Sequence, residues 1–465
     1  MIFEDLLKFE EDHPELFEFF VCNHQLMLWP LIRVLIHQKA FSQIYNLFES
    51  YSLKEKLRKK DIIKYLILTL IRNPFLSKPK PIAIFSSNVV NMLENGIYIN
   101  RLYDYFVREN KKNINLYEDS FRKKYRTPRK EKVYYSDILY IIPKILGLFS
   151  KINKKDSEEI NKFIELLVQF YPVKFDNNFY NKLRKNLINA CKKIWGYKLV
   201  LFLFVKLKKV GIVIREDASY GHYNAIIMRI LNKLGVITVE MQHGLVALEH
   251  PAYNYPESVI TRKNNYYEYL PQYFLTFGEY WNKLVRLPAK IQIIGFPYLL
   301  EKVKCKNIKS ENILVISDGN IPEIILKLCF KLSNAFQNKK IILKLHPIEV
   351  PLVNKRYSLL KGTNNIEIKT YEPVYKLLKE SKFIVGFIST VMIEALAFDI
   401  IPFVFDNELS RKIFVNIPFN YWKDFDELIN MIKNYNNFNN KIDKEYFFAS
   451  NTSQRFMNFL KSLNI

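Results

Sequence analysis

The sequence predicts an α/β fold of two parallel-sheet domains facing one another across a cleft, with a helical N-terminal region and a helical insertion. Three observations lead there. Short apolar runs ending in small, acidic or histidine residues alternate with segments of helical period, the rhythm of β-α-β units. That rhythm occurs twice, once between residues 79 and 294 and again from ENILVISDG onward. With 465 residues, 49% hydrophobic and 25% charged, the chain has ordinary globular composition and length for several cores without disulfide staples.

From Met1 to Lys78 apolar residues recur at helical spacing, as in Leu28, Leu31, Ile32 and Leu35, which predicts a helical region. The Pro-punctuated LSKPKP then leads into PIAIFSS, an apolar run entering a small polar loop, as a buried parallel strand does. A helix ending near Asn110 and a second strand, Ile114 to Tyr117, follow. Residues 122–193, with the basic run RKKYRTPRKEK and the helical DSEEINKFIELLVQFY, are expected to form a helical insertion. The strand rhythm resumes with GIVIRED, VITVEMQHG, YFLTFGEYW and KIQIIGFP, separated by a helix over Asn224 to Leu234. A second domain over 295–410 reads as ENILVISDG, a helix from Pro322 to Phe336, then KIILKLHP, IEIKT, FIVGF and IPFVF. Residues 411–465 read as helical. Both domains are therefore Rossmann-like, and ligands of such sheets sit beyond the carboxyl ends of the strands.

Lys and Arg number 70 against 46 acids, a formal charge of +24 that suits an anionic partner such as a phosphorylated donor, an acidic glycan or a lipid surface. The crowding with Lys, Ile, Asn, Phe and Tyr and the mere 12 Gly are also the skew of AT-rich coding, a competing source of the Lys excess. No RRM, helix-turn-helix or zinc-finger signature supports nucleic acid as the partner. Cys22, Cys191, Cys305 and Cys329 are scattered and form no CxxC pair, so neither a zinc site nor a disulfide framework is expected, and a reducing compartment is. The N-terminus carries acids where a secretory signal needs basic residues. The most apolar stretch, Leu199 to Val205, is closed by Lys198 and Lys206, far short of the roughly 20 residues of a bilayer span. Together with RKKYRTPRKEK it is a candidate for lying against anionic lipid.

The chemistry-bearing residues gather at strand ends. KLHP places His346 and Pro347 at one, and GFISTVMIEALAF places Ser389 and Thr390 at a helix start, where free N–H groups and the dipole favour phosphate. Glu394, one turn on, is placed to meet a ribose hydroxyl. The alternatives are a plain N-cap for Ser389 and a strand-end residue for His346. Asp318 and Gly319 form a strand-end turn where the second domain begins. In the first domain Glu216 and Asp217 end GIVIRED, and a carboxylate there suits proton removal from an acceptor hydroxyl, or else caps the next helix. Gln242, His243 and Gly244 end the next strand, with Gln242 and Gly244 expected to meet the acceptor and His243 a base, a phosphate ligand or a packed core residue. His250, Tyr253 and Tyr255 form an aromatic loop that either stacks on a sugar ring or packs on itself. No GxxxxGK[ST], HExxH or GxSxG pattern is present, which argues against a P-loop ATPase, a zincin and an ordinary α/β-hydrolase.

Two Rossmann-like domains with these motifs resemble the GT-B fold of glycosyltransferases. More narrowly, Glu216-Asp217-Ala218, His346-Pro347 and Ser389-Thr390 resemble the D/E-D/E-G, HP and Ser/Thr elements of bacterial sialyltransferases, polysialyltransferases and capsular Kdo transferases, although Ala218 stands where that group has Gly. The resemblance implies an inverting, metal-independent glycosyltransferase that moves a sugar from a nucleotide donor, CMP-linked, to a bacterial surface glycan such as capsule or lipopolysaccharide. It implies Asp217 as base, a nucleotide phosphate held by His346, Pro347, Ser389 and Thr390, and no cofactor beyond the donor. The Gln242-His243-Gly244 segment is also similar to teichoic-acid glycerophosphotransferases, which implies His243 as base and CDP-glycerol or CDP-ribitol as donor. The expected partners are the donor, a glycan or lipid-linked glycan acceptor, and the inner face of the cytoplasmic membrane, reached through the basic excess. Gly295 to Pro297 is the expected hinge, and a catalytically idle glycan-binding or scaffold module is the alternative of a different class.

Overall fold

The computed structural model describes residues 3–45, 58–304, 310–319, 321–435 and 442–464. Cys305 and part of the N-terminal helical region, 46–57, lie outside the described residues. A two-stranded ribbon, β1 (Phe20–Val21) with β2 (Leu26–Met27), sits among the N-terminal helices Phe3–Asp12, Trp29–Ile44 and Lys59–Ile71. The first large sheet begins with β3 (Ile82–Ser87), after which a hairpin of β4 (Asn91–Glu94) and β5 (Ile97–Asn100) and a short helix, Asp104–Glu109, lead to β6 (Ile114–Asp119) and β7 (Val133–Tyr135). It continues with β8 (Ile212–Arg215), β9 (Ile237–Met241), β10 (Tyr273–Thr276) and β11 (Lys290–Ile293). The second sheet contains β12 (Asn312–Ile316), β13 (Ile341–Lys344), β14 (Ile366–Lys369), β15 (Ser381–Gly386), β16 (Ile401–Phe405) and β17 (Asn420–Trp422).

Both sheets are wholly parallel and share one plan. The first runs β11-β10-β9-β8-β3-β6-β7 and the second β14-β13-β12-β15-β16-β17. In each, the first strand lies in the middle, its next two partners lie to one side and the fourth strand starts the other side, the doubly wound order. The reversal falls between β3 and β8 in the first sheet and between β12 and β15 in the second. At such a point successive connections leave to opposite faces and open a crevice beyond the strand ends. The central strands read as unbroken apolar runs because both faces are covered by helices, and β8 is buried at every position.

Several elements depart from the sequence reading. The stretch 122–193 is not purely helical, because β7 extends the sheet by pairing with β6 over three residues. Its last helix, Asn177–Lys208, runs beyond the expected limit, from a cap at Asp176, whose side chain accepts from Phe179 N–H at 2.7 Å, to a left-handed Lys209. The closing stretch contributes β17 before it turns helical. Its final helices, Lys444–Phe447 and Thr452–Ser462, return to the first domain. Ala449 N–H donates to the Phe277 carbonyl at 2.8 Å, and Trp281 Nε1 donates to the Phe447 carbonyl at 2.8 Å.

The core joins the two domains. Alternate residues of β12 divide between two clusters, Ile313 and Val315 in one and Leu314 and Ile316 in the other. The first cluster closes beneath the helices Pro322–Ala335 and Phe425–Lys433, whereas the second continues through the helix Thr390–Ala397 into the core of the first domain.

The N-terminal region braces the first domain through buried charge. Arg33 forms a bidentate pair with Glu10, and its remaining N–H groups bind the carbonyls of Pro251 and Asn254 in the loop after β9. His37 Nε2 meets Glu10 at 2.9 Å. Burial alone would raise the Glu10 pKa, but Arg33 and His37 together hold it down at about 2.

Candidate active site

At the switch point of the first sheet, β8 ends in Arg215, Glu216 and Asp217 beside the end of β3. Glu216 is buried and accepts from Ser86 Oγ at 2.7 Å and from Ser87 N–H at 2.6 Å, so it ties the two strand ends together. Burial, reinforced by the charge of Asp217, pushes its pKa well above the carboxylate range. Asp217 is partly exposed and paired with Arg215, whose Nε lies 2.5 Å from Oδ1. Burial opposes its ionisation, yet Arg215 overrides this and holds the pKa down, with a smaller contribution from His243. Arg215 also donates to Tyr140 OH at 2.7 Å.

The end of β9 supplies the imidazole. Burial lowers the His243 pKa, and Arg101 adds to that, while Asp217 partly offsets it, so the ring is neutral at pH 7. Its Nδ1 is buried with no hydrogen-bond partner among the described residues, and Nε2 lies 3.4 Å from Tyr220 OH. Tyr220 OH also lies 3.2 Å from Nε2 of His250, whose pKa burial drives down to about 3. A Cβ on Gly244 would meet nothing within 4 Å, so the backbone beside His243 faces open space.

Three residues assigned to acceptor binding are structural. Gln242 is fully buried; its Oε1 accepts from Phe277 N–H at 2.9 Å, and its Nε2 donates to the Gly244 carbonyl at 3.0 Å. Tyr253 and Tyr255 are 1% and 0% exposed. The Arg33 guanidinium lies 4.0 Å above the Tyr255 ring, and Tyr253 OH donates to Glu240 at 3.2 Å. The aromatic loop therefore packs on itself, and neither ring is presented as a stacking platform.

At the second switch point, β12 ends in Ser317, Asp318 and Gly319. Glu349, buried beneath this turn, accepts from Ser317 Oγ, from Tyr357 OH at 2.8 Å and from Arg356 at 3.0 Å. Arg356 also donates to the Gly319 carbonyl at 3.2 Å. Gly319 has φ +87°, and a Cβ there would lie 3.0 Å from Ile348, which explains the glycine. His346 and Pro347 are exposed beside it. His346 Nδ1 accepts from Ile348 N–H at 3.3 Å, which leaves the ring proton of the neutral form on Nε2, free to donate. At the end of β15, Ser389 caps the helix Thr390–Ala397, its Oγ accepting from Val391 N–H at 3.3 Å. The hydroxyl proton remains available to an anion. Glu394 on this helix is buried, not open to solvent, and its Oε2 has no hydrogen-bond partner among the described residues.

Arg101, just past β5, joins the two halves. Its Nη2 donates to the His243 carbonyl at 3.1 Å, its guanidinium lies 5.9 Å from the Phe296 ring, and its Nε is buried without a partner. Its positive charge acts both on His243 and on Glu394, so the helix begun by Ser389 and the imidazole of the first domain share one electrostatic neighbour. A second bridge runs from Lys412 to Glu249 at 3.2 Å.

No family model matches the chain, and no curated protein does. Among solved structures it is similar to UDP-GlcNAc 2-epimerase from Methanocaldococcus jannaschii, with 12% identity over 82% of this chain and 99% of that one and a TM-score of 0.45. It is also similar to the wall teichoic acid polymerase TagF, with 12% identity over 94% and 97% and a TM-score of 0.41. A putative UDP-N-acetylglucosamine 2-epimerase from Listeria monocytogenes gives 9% identity over 84% and 97% and a TM-score of 0.44.

Sequence reasoning missed four charged residues of the site. Arg215 stood in view within GIVIRED, and Glu240 was legible as a lone acid in the apolar VITVEM. Glu240 accepts from Ser219 N–H and Oγ at 2.9 and 2.5 Å, and burial pushes its pKa up to about 8. Asp119 closes β6 within the field of Arg215, and burial raises it to about 7. Arg101 gave no local signal, because its place depends on the β4–β5 hairpin. Among the described residues, no group of three or more His, Cys, Asp or Glu side chains is arranged to hold a metal ion.

Proposed function

We propose that the chain is a glycosyltransferase that moves a sugar from a cytidine nucleotide donor to a hydroxyl of a surface glycan. One observation carries the reading: a neutral, half-buried His243 beside Asp217 at the first switch point shares Arg101 with the helix that Ser389 and Thr390 begin at the second. His243, rather than the Arg-paired Asp217, takes the acceptor proton. As it does so, the acceptor oxygen bonds to the anomeric carbon, the bond from that carbon to the phosphate oxygen breaks, and the nucleotide leaves with the electron pair. A single displacement inverts the anomeric centre. His346 Nε2, the Ser389 hydroxyl and the N–H groups around Thr390 stabilise the charge on the leaving phosphate, with Asp318 and Gly319 shaping the same pocket. Asp217, by its charge, favours the imidazolium that forms.

The choice of His243 favours a second donor class. The likeness of the Gln242-His243-Gly244 segment to glycerophosphotransferases makes a CDP-polyol the competing substrate, in which case the acceptor oxygen attacks phosphorus instead of carbon. Consumption of CDP-glycerol against a CMP-sugar by the purified protein separates the two.

The donor site is tested by thermal unfolding with CMP, CDP, UDP and GDP, on the native chain and on His346→Ala. A nucleotide at 100 times its dissociation constant stabilises by about 2.7 kcal/mol. Stabilisation by a cytidine nucleotide, lost in the variant, is expected. A response to UDP or GDP alone overturns the cytidine assignment, and silence from all four overturns the donor site.

A further inference from the structure

One face of the first domain carries an apolar surface that the proposed chemistry does not use. On the helix Asn177–Lys208, Trp195, Leu199, Phe202 and Leu203 form a stripe at spacings of three and four, with Trp195 66% exposed. The antiparallel helix Ile138–Leu148 lies against it. A Cβ on Gly196 would sit 2.7 Å from Pro143 Cα, and one on Gly147 would sit 3.0 Å from Lys193. This close approach sets the end of Ile138–Leu148, where Leu148 and Phe149 are 76% and 83% exposed, against the turn of Asn177–Lys208 that carries Lys192 and Lys193. On the other flank Trp195, Leu199 and Phe202 form one wall of an apolar groove of about 540 Å³, whose opposite wall is Ile226, Ile230 and Leu234. Monomeric soluble proteins rarely expose so continuous an apolar surface.

The charge of the two helices has one sign, while Arg229 and Lys233 at the far wall of the groove are paired with Glu268. The helix Asn177–Lys208 contains seven lysines, one arginine and no acidic residue, and Ile138–Leu148 adds Lys144 and no acid. No helix among the described residues is long and apolar enough to cross a membrane. An amphipathic surface of aromatic and aliphatic side chains ringed by lysines is the chemistry that binds anionic bilayers in the plane of the headgroups. A second copy fits poorly, because a two-fold contact sets the patch against itself and opposes like charges.

We infer that this face docks on an anionic phospholipid bilayer, with Trp195, Phe202, Leu148 and Phe149 entering the acyl boundary and the lysines meeting phosphates. The inference stands independently of the donor chemistry. Trp29, Trp281 and Trp422 are each 0% exposed, so a change in tryptophan emission on docking reports Trp195. The experiment adds vesicles of phosphatidylglycerol and phosphatidylcholine, or of phosphatidylcholine alone, and reads sedimentation and emission. The expected result is a blue shift and sedimentation with the anionic vesicles, reduced at least tenfold by 0.5 M salt and by the double variant Leu148→Glu, Phe202→Glu. Circular dichroism checks that this variant is folded, and Lys192→Gln, Lys206→Gln, which keeps the apolar stripe, is expected to weaken binding in the same direction. Absence of a blue shift, equal binding to both vesicle types, or a dimer in solution that the glutamates dissolve would each overturn it. No nucleotide is present in this assay, so failure here leaves the donor site standing, and failure of the nucleotide panel leaves the docking face standing.

Discussion

At the scale of single residues, the proposed mechanism sets one carboxylate, Asp217, beside one imidazole, His243. Asp217 raises the His243 pKa by its charge while burial and Arg101 lower it. A base must be neutral to act, so kcat/KM rises as pH passes upward through the His243 pKa. His243→Ala is expected to lose about 10²- to 10⁴-fold in kcat, the range of a lost general base. Asp217→Asn is expected to lose less and, by removing the charge that favours imidazolium, to move the acidic limb of the pH–rate profile to lower pH. An unmoved limb would show that Asp217 does not act through His243. Glu240 has a stability signature. Its folded pKa, about 8, lies above the ordinary 4.5, so its contribution is full below 4.5 and is lost as pH rises through about 8. Glu240→Gln is therefore expected to flatten the decline in Tm over that window. Which residues end a strand was legible in the sequence because strand ends are marked by the switch from apolar to small, acidic or histidine residues. Which of them remain free was not, because Gln242 and Glu216 are consumed by partners 35 and 130 residues away.

At the scale of elements, long apolar runs identified the central strands, whereas β7 and β17, three residues each, are too short to show a period. The β4–β5 hairpin was missed for the same reason, and with it Arg101. Two glycines mark where elements touch. A Cβ on Gly278 would lie 2.5 Å from the Phe447 carbonyl, and one on Gly295, with φ +87°, 2.2 Å from the Ala449 carbonyl. The expected hinge at Gly295 is thus a point of backbone-to-backbone packing. Gly278→Ala, which strains no dihedral, is expected to cost about 1–3 kcal/mol in chemical denaturation through overpacking alone. A neutral outcome would mean that the returning segment does not seat there.

At the scale of the molecule, the N-terminal region is part of the site's support. The Glu10–Arg33 pair grips the loop that carries His250, and breaking such a buried pair costs about 3–5 kcal/mol. Glu10→Gln is expected to lower stability by that order at pH 7. Because the folded pKa of Glu10, about 2, lies below the ordinary 4.5, its contribution is present above 4.5 and vanishes as pH falls toward about 2. The variant and the native chain should therefore converge in stability at low pH. Two-domain architecture was readable from the repeated rhythm, but the joining of the cores was not, since nothing local in β12 tells which of its alternating faces meets the other domain.

The return of residues 444–462 to the first domain has a consequence for synthesis. The first sheet is complete once Ile293 has left the ribosome, yet the backbone that covers Gly278, Gly295 and Trp281 follows some 150 residues later. At about 5–20 residues per second that interval is roughly eight to thirty seconds. During it the nascent chain holds a folded sheet with an open apolar seam, and that seam is where a chaperone would engage it and where premature pairing between neighbouring nascent chains would begin.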